Sequence, residues 1–140
     1  LRGERLPKWF REYDWGTKII YSPTKLFSEP IPESFTEYTH KEFSILVSSP
    51  ERAAIEMMYQ IPKQQGFDEA SHIMENLAML RPQLVQKLLE LCPLIKAKRL
   101  FLYFAERYNH DWLSQLNTTK IDLGAGKRMI VKNGKLDSFE

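Results

Sequence analysis

Four prolines divide the middle of the chain into segments of helical length, and no other feature constrains the fold as much. Pro50, Pro62, Pro82 and Pro93 each lack a backbone N–H, so each can begin a helix but disrupts the interior of one. The apolar residues between them recur every three or four positions, as on one face of a helix. The sequence therefore predicts three helices between Pro50 and Pro93 and a fourth over about 94–108.

The first of these helices has the clearest start signal. Ser49 is a suitable N-cap, Pro50 suits the first helical position, and Glu51 favours the positive end of the helix dipole. The apolar side chains that follow share one face, at Ala54, Met57, Met58 and Ile61. Arg52 and Glu56 lie four residues apart, a spacing typical of an ion pair that stabilises the fold.

The last helix is apolar on almost every side, which is typical of a central helix. Its polar side must carry Lys96, Lys98, Arg99, Glu106 and Arg107.

Before the helices, β-favouring residues indicate two strands, over 16–21 and 41–48. Leu46 breaks the alternation of the second strand, which predicts that this strand is covered on both faces. Residues 22–40 contain three prolines and read as an irregular connection. Four aromatic residues near the start are expected to pack on the core as a clasp, at Trp9, Phe10, Tyr13 and Trp15.

After the helices, a turn of helix is expected at 110–113 and short strands over 119–123, over 127–132 and from 135 onward. The turns between these strands are Gly124-Ala125-Gly126 and Asn133-Gly134, since Asn-Gly is a strong hairpin signal. We predict one α+β domain over residues 1–140, with a small mixed sheet flanked by about four helices. The predicted core comprises Ile45, Val47, Ala54, Met58, Leu77, Leu88, Phe101, Phe104 and Ile130.

Length and composition set the class of protein. The chain has 140 residues, of which 43% are apolar, and no apolar run approaches the roughly 18 residues of a membrane span. A lone cysteine, Cys92, permits no internal disulfide; it falls on the apolar spacing of a helix, so we expect a buried packing residue in a cytoplasmic protein. The chain starts without Met and stops without a cap, so we expect it to be part of a longer protein.

Charge is distributed unevenly although the net charge is only +2. Residues 26–92 carry five basic and ten acidic side chains, whereas residues 93–135 carry nine basic and three acidic ones. A basic segment of this kind can hold a polyanion or an acidic partner. The candidate surface for nucleic acid or a protein partner is therefore Lys96, Lys98, Arg99, Arg107, Lys127 and Arg128.

The catalytic motifs that this sequence approaches each lack a required residue. Gly126-Lys127 lacks the Gly of a phosphate-binding loop, because Ile121 stands in its place, and Arg128 replaces the required Ser or Thr. No Asp or Glu is followed two positions later by Lys, as a nuclease of the PD-(D/E)xK kind requires. The three histidines are scattered, with no metal-ligand spacing. We therefore predict that the chain is not an enzyme and that it binds no metal ion and no cofactor.

Several stretches, taken in order, resemble a known family. They are Leu6-Pro7-Lys8-Trp9-Phe10, Ser48 through Glu56 (SSPERAAIE), Lys96 through Arg107 (KAKRLFLYFAER) and Ile121 through Arg128 (IDLGAGKR). Together they resemble the C-terminal domain of the AbiEi antitoxins, the transcriptional regulators of type IV toxin–antitoxin systems.

This resemblance implies a function that the residues alone do not. It implies an antitoxin and autorepressor that counteracts a nucleotidyltransferase-like toxin, directly or indirectly, and that binds operator DNA mainly through a winged helix-turn-helix outside this chain. A nuclease-like enzyme and an oligomerisation module of a regulator are the alternatives. The oligomeric state is left open.

Overall fold

The computed structural model describes residues 5–126, and, in backbone only, residues 128–129 and 136–137. Its α-helices are α1 (Lys8–Glu12), α2 (Pro50–Gln60), α3 (Phe67–Glu75), α4 (Pro82–Leu91) and α5 (Ile95–Arg107). Its strands are β1 (Phe35–His40), β2 (Phe43–Ser48), β3 (Arg128–Met129) and β4 (Leu136–Asp137). Single turns of 3₁₀-helix lie at Pro32–Ser34, Asp111–Gln115 and Thr118–Lys120. The predicted α+β class is confirmed.

The helix boundaries follow the prolines, as predicted. Ser49 is the N-cap of α2, where its hydroxyl accepts a hydrogen bond from the Arg52 amide at 3.4 Å, and Pro50 is the first helical residue. Pro82 begins α4 in the same way, and Pro93 stands between α4 and α5. The predicted fourth helix is α5, within one residue of the expected bounds at each end.

The core forms where α5 packs against α2, with α3 and α4 around them. Most side chains of α5 are buried, which confirms its predicted central position; the fully buried aromatic ones are Phe101 and Phe104. Cys92 is buried as expected, and burial raises the pKa of its thiol. The turn at Asp111–Gln115 adds Trp112 to this core, stacked against His110.

The predicted core was right for five of the six residues expected on helices and wrong for the two residues of β2. Five of its helical residues are buried, namely Ala54, Met58, Leu88, Phe101 and Phe104, while Leu77 is half-buried. Ile45 and Val47 are instead 49% and 37% exposed, because the β1–β2 hairpin stands away from the helices rather than against them. Ile130 lies outside the described residues.

The predicted strands were only partly right. The strand β2 lies within the predicted 41–48, but it is exposed on both faces instead of covered. The predicted strand over 16–21 is instead irregular, exposed chain, and β1 occupies the region expected to be irregular. A 3₁₀ turn replaces the strand expected over 119–123, since the Asn117 side chain caps the Thr119 amide. At the end of the chain, β3 and β4 form an antiparallel pair inside the expected strand regions.

Candidate partner-binding surface

Arg99 is a structural residue and not part of an exposed basic surface. Its side chain is only 9% exposed, which contradicts the sequence prediction. The guanidinium donates hydrogen bonds to three backbone carbonyls of the segment after the helices, at distances of 2.6 Å to Leu123, 2.6 Å to Gly126 and 3.4 Å to Gly124. A guanidinium has five N–H donors in a fixed plane, so it can satisfy several carbonyls at once.

The glycine-rich segment that Arg99 holds is a turn, as predicted, and not a phosphate-binding loop. Gly124 and Gly126 both have positive φ, at 65° and 79°, a conformation that side-chain-bearing residues rarely adopt. The Asp122 carboxylate accepts the Gly124 amide at 2.9 Å. The carbonyl oxygens of the segment are directed at a cation, whereas a phosphate loop must present amides to an anion.

Lys98 is likewise buried, at 2% exposure, so its predicted place on the surface was wrong. It lies on a face of α5 that packs against the rest of the domain, and its charge acts on the Cys92 thiol, lowering the pKa that burial raises. An almost all-round apolar helix in the middle of a small domain leaves little surface for a polar side. This is why two of its basic residues are enclosed.

The remaining predicted site residues do not come together. Lys96 is exposed, but its ammonium donates to the Ile61 carbonyl at 3.0 Å and so caps the end of α2. Arg107 is exposed at the other end of α5, about 16 Å away by helix geometry, and donates to the Tyr103 hydroxyl at 3.1 Å. That bond comes first among the causes that raise the pKa of Arg107. Lys127 and the Arg128 side chain lie outside the described residues.

The β1–β2 hairpin presents an apolar face to solvent. Directly paired residues point to the same side of a two-stranded sheet, and successive pairs alternate. The register therefore places three pairs on one side, Thr36 with Val47, Tyr38 with Ile45, and His40 with Phe43. We name its four large apolar side chains the apolar hairpin face; they are Tyr38 (54% exposed), Phe43 (56%), Ile45 (49%) and Val47 (37%).

The opposite face of the hairpin is mostly polar. It carries Glu37, opposite Leu46, and Thr39, whose hydroxyl is hydrogen-bonded to that of Ser44 at 2.9 Å. Leu46 is 72% exposed there. Sequence reasoning missed the apolar face because β1 was not recognised, although Phe35, Thr36, Tyr38 and Thr39 are residues that favour strands.

A polar cluster joins the base of the hairpin to α2. The Arg52 guanidinium lies over two aromatic rings, 4.6 Å from the Phe27 centroid and 4.3 Å from that of Phe35. It also donates to the Glu56 carboxylate at 2.8 Å and to the Ser34 hydroxyl at 3.0 Å. This confirms the predicted Arg52–Glu56 ion pair.

The same cluster ties down the last residues of β2. Glu56 accepts a further hydrogen bond from the Ser48 hydroxyl at 2.7 Å, and the Ser49 amide donates to the Ser34 carbonyl at 2.8 Å. We call Ser34, Ser48, Arg52 and Glu56 the hairpin anchor. It holds one end of the hairpin firmly while the rest projects into solvent.

Glu51, at the start of α2, is paired with Arg81 at the start of α4. The buried Glu51 carboxylate accepts the Arg81 amide at 3.0 Å and its guanidinium at 3.0 and 3.1 Å. Burial acts to raise the pKa of Glu51, but the hydrogen bonds from Arg81 outweigh it and bring that pKa down to about 2. The pair therefore fixes α2 relative to α4.

Neither metal binding nor membrane spanning has a visible basis in the part of the chain that the structure describes. No group of three or more His, Cys, Asp or Glu side chains is arranged to hold a metal ion there. No helix among residues 5–126 is long and apolar enough to cross a membrane. Of the histidines, His110 is buried with its Nε2 2.6 Å from the Met74 carbonyl.

A helical core, the hairpin anchor and an exposed apolar hairpin face together make up a small α+β domain. The chain belongs to the AbiEi antitoxin family, the transcriptional regulators of type IV toxin–antitoxin systems, whose family model matches residues 2–139. This confirms the resemblance noted from the sequence. Neither the curated proteins nor the solved structures gave a match.

Proposed function

We propose that this chain counteracts a nucleotidyltransferase-like toxin and supports operator binding by the regulator, and that it works by binding rather than by catalysis. The observation that supports this most is the apolar hairpin face. Four large apolar side chains there are between 37% and 56% exposed, on a hairpin that no other described element covers.

A two-stranded hairpin of this composition favours a partner. Isolated two-stranded sheets are at best marginally stable in water, and a third strand or a packed face normally supports them. Contiguous apolar side chains on a surface mark interaction sites more often than chance exposure does. A protein segment that covers Tyr38, Ile45 and Phe43 would supply the missing layer, and the hairpin anchor would hold the face in place for it.

Growth rescue in cells that express the toxin tests this function. We expect the 140-residue chain to restore growth and Ile45→Lys to lose most of that rescue, because a lysine on the apolar hairpin face opposes burial against a partner. Leu46→Lys is the matched control, since it makes the same change on the neighbouring residue and the opposite face. Both side chains are exposed, so both variants should melt as the unmodified chain does.

Three results would count against this proposal. Failure of the unmodified chain to restore growth would remove the antitoxin function. Equal loss of rescue in Ile45→Lys and Leu46→Lys would remove the role of the apolar hairpin face. Dimerisation of the chain alone in light scattering, abolished by Ile45→Lys, would assign that face to self-association.

The proposed contribution of this domain to operator binding is tested by a second assay, distinct from growth rescue. We expect a promoter reporter to be repressed more strongly when the regulator carries this domain than when it does not. Since Lys98 and Arg99 are buried, their removal should lower repression only together with the amount of folded protein. A folded Arg107→Glu variant that loses repression would instead assign operator contact to the exposed end of α5.

A further inference from the structure

Residues 5–21 form an aromatic and basic arm that stands apart from the core. Three of the four aromatic side chains predicted to form a clasp on the core are instead exposed, with Trp9 at 65%, Tyr13 at 63% and Trp15 at 41%, while Phe10 is half-buried. Among the described residues, the hydrogen bonds of residues 5–20 all stay inside the segment. The first core side chains of the chain follow only at Leu26 and Phe27.

Internal contacts give the arm a defined shape. The Trp15 indole N–H donates to the Phe10 carbonyl at 2.8 Å, and the Asp14 carboxylate accepts the Gly16 amide at 2.9 Å. Gly16 has a φ of 62°, a backbone conformation that favours glycine. The Trp15 ring lies 4.7 Å from the Phe10 ring and 4.8 Å from the Tyr13 ring, centroid to centroid.

These residues enclose an open cleft of about 480 Å³, within the size range of small-molecule sites. Its aromatic wall is Phe10, Tyr13, Trp15 and Tyr21. Two guanidinium groups, Arg5 and Arg11, also line it, and neither is in an ion pair with another described residue. Among the described residues that line the cleft, Asp14 is the one with a carboxylate, and its Oδ1 accepts the Gly16 amide.

We propose that this cleft binds unpaired nucleotides of a single-stranded nucleic acid. Exposed aromatic rings next to basic side chains that form no ion pair with another described residue are the combination that such ligands require, because bases stack on the rings and phosphates pair with the cations. The charge agrees, since residues 5–25 carry five basic and two acidic side chains. An apolar protein segment would contact the rings but would gain nothing from the charges of Arg5 and Arg11. The inference goes beyond the proposed antitoxin function and does not depend on it.

Fluorescence anisotropy of labelled ten-nucleotide oligomers tests the proposal directly. The 140-residue chain is titrated against oligouridylate and oligothymidylate, which separates RNA from DNA, and against a DNA duplex of equal length. We expect binding of a single strand but not of the duplex, because stacking needs unpaired bases. With two phosphate contacts, affinity should fall about sevenfold between 50 and 200 mM salt.

Variants then assign the binding to the cleft. Arg11→Glu should weaken binding at least tenfold, whereas Lys120→Glu, which makes the same charge change on an exposed residue outside the arm, should not. Trp15→Ala should weaken it about fivefold or more, and Trp15→Phe should recover most of the loss because a ring is restored. The arm is separate from the core and Lys120 is exposed, so the melting temperature of all four variants should be unchanged.

Each contrary outcome overturns the inference. No binding at 50 mM salt, equal binding of the duplex, or equal weakening by Lys120→Glu would each show that the cleft does not select unpaired nucleotides. If purified toxin, and no oligonucleotide, quenches the exposed Trp9 and Trp15, the arm is a protein-docking segment. The toxin-rescue experiment has a different readout, so its failure would leave this result standing.

Discussion

The Nη1 atom of Arg99 lies 2.6 Å from the carbonyl oxygen of Gly126, 27 residues later in the chain. This bond joins α5 to the glycine-rich turn. Both segments were singled out in the sequence by their resemblance to the AbiEi family, and their meeting gives a structural reason for both. Arg99 and the glycines form one structural unit, in which the guanidinium donates the hydrogen bonds that the carbonyl oxygens of the turn accept.

Removing this structural unit should destabilise the whole domain. We expect Arg99→Ala to lower the free energy of unfolding by about 2–4 kcal/mol, because charged hydrogen bonds are lost and three carbonyls lose their donor. Arg99→Lys should recover only part of this, since an ammonium cannot reproduce the planar fork. Urea denaturation followed by circular dichroism measures the effect. Arg107→Ala, on the exposed end of the same helix, is the control, and an equal midpoint for Arg99→Ala and Arg107→Ala would contradict the assignment.

The Glu51–Arg81 pair should make stability depend on acid pH. The pKa of Glu51 is about 2 in the folded protein, below its ordinary value of 4.5. Its contribution is therefore fully present above about pH 4.5 and is lost as the pH falls towards 2. Denaturation at a series of pH values should show a steeper decline for the unmodified chain than for Glu51→Gln. Glu75→Gln, at an exposed position, should retain the steep decline; parallel curves for all three proteins would refute the prediction.

The hairpin anchor should control how firmly the β1–β2 hairpin is held. Arg52→Ala removes contacts with Phe27 and Phe35 and leaves Glu56 without its cation, so we expect a loss of about 1–3 kcal/mol. Amide hydrogen exchange should accelerate in residues 35–48 by a larger factor than in α5. Lys8→Ala removes an exposed pair of the same spacing and should change neither quantity. Uniform acceleration across the chain would show that the anchor serves the whole domain.

Replacing two apolar residues, Phe104 and Leu46, by alanine should change the stability of the domain by very different amounts. Phe104 is fully buried in α5, so Phe104→Ala should cost about 3–5 kcal/mol through lost burial and the cavity left behind. Leu46 is 72% exposed, so Leu46→Ala should leave thermal stability almost unchanged. Differential scanning calorimetry of the two variants measures this contrast. A marked destabilisation by Leu46→Ala would mean that the hairpin is covered in solution.

The helices could be predicted because their signals are local. Pro50 and Ser49 act on the backbone next to them, and the apolar spacing of α5 marks a central helix wherever that helix packs. The positions of Arg99 and Lys98 could not be predicted in the same way. Basic residues near a helix start normally face water. Only the tertiary structure shows that carbonyls of residues 123–126 lie within hydrogen-bonding distance of Arg99.

The strand predictions were wrong for a related reason. A β-favouring stretch such as 16–21 becomes a strand only when another strand offers hydrogen bonds, and the residues of the stretch do not determine whether such a partner is available. For the same reason, the apolar residues of β2, with Leu46 breaking the alternation, predicted a strand covered on both faces without showing that both faces meet solvent. The candidate surface could therefore be located only once Ile45 and Val47 were seen to project outward.

The separation of the hairpin from the helical core has an evolutionary consequence. A side chain that folding does not need can be replaced without penalty to folding, so positions such as Tyr38 and Ile45 can diverge while Phe101 and Phe104 stay constrained. Under the proposed function, recognition and folding depend on different residues of one short chain. Exposed residues of the hairpin can therefore change one at a time, and with them the partner that the protein recognises, while the helical core stays the same.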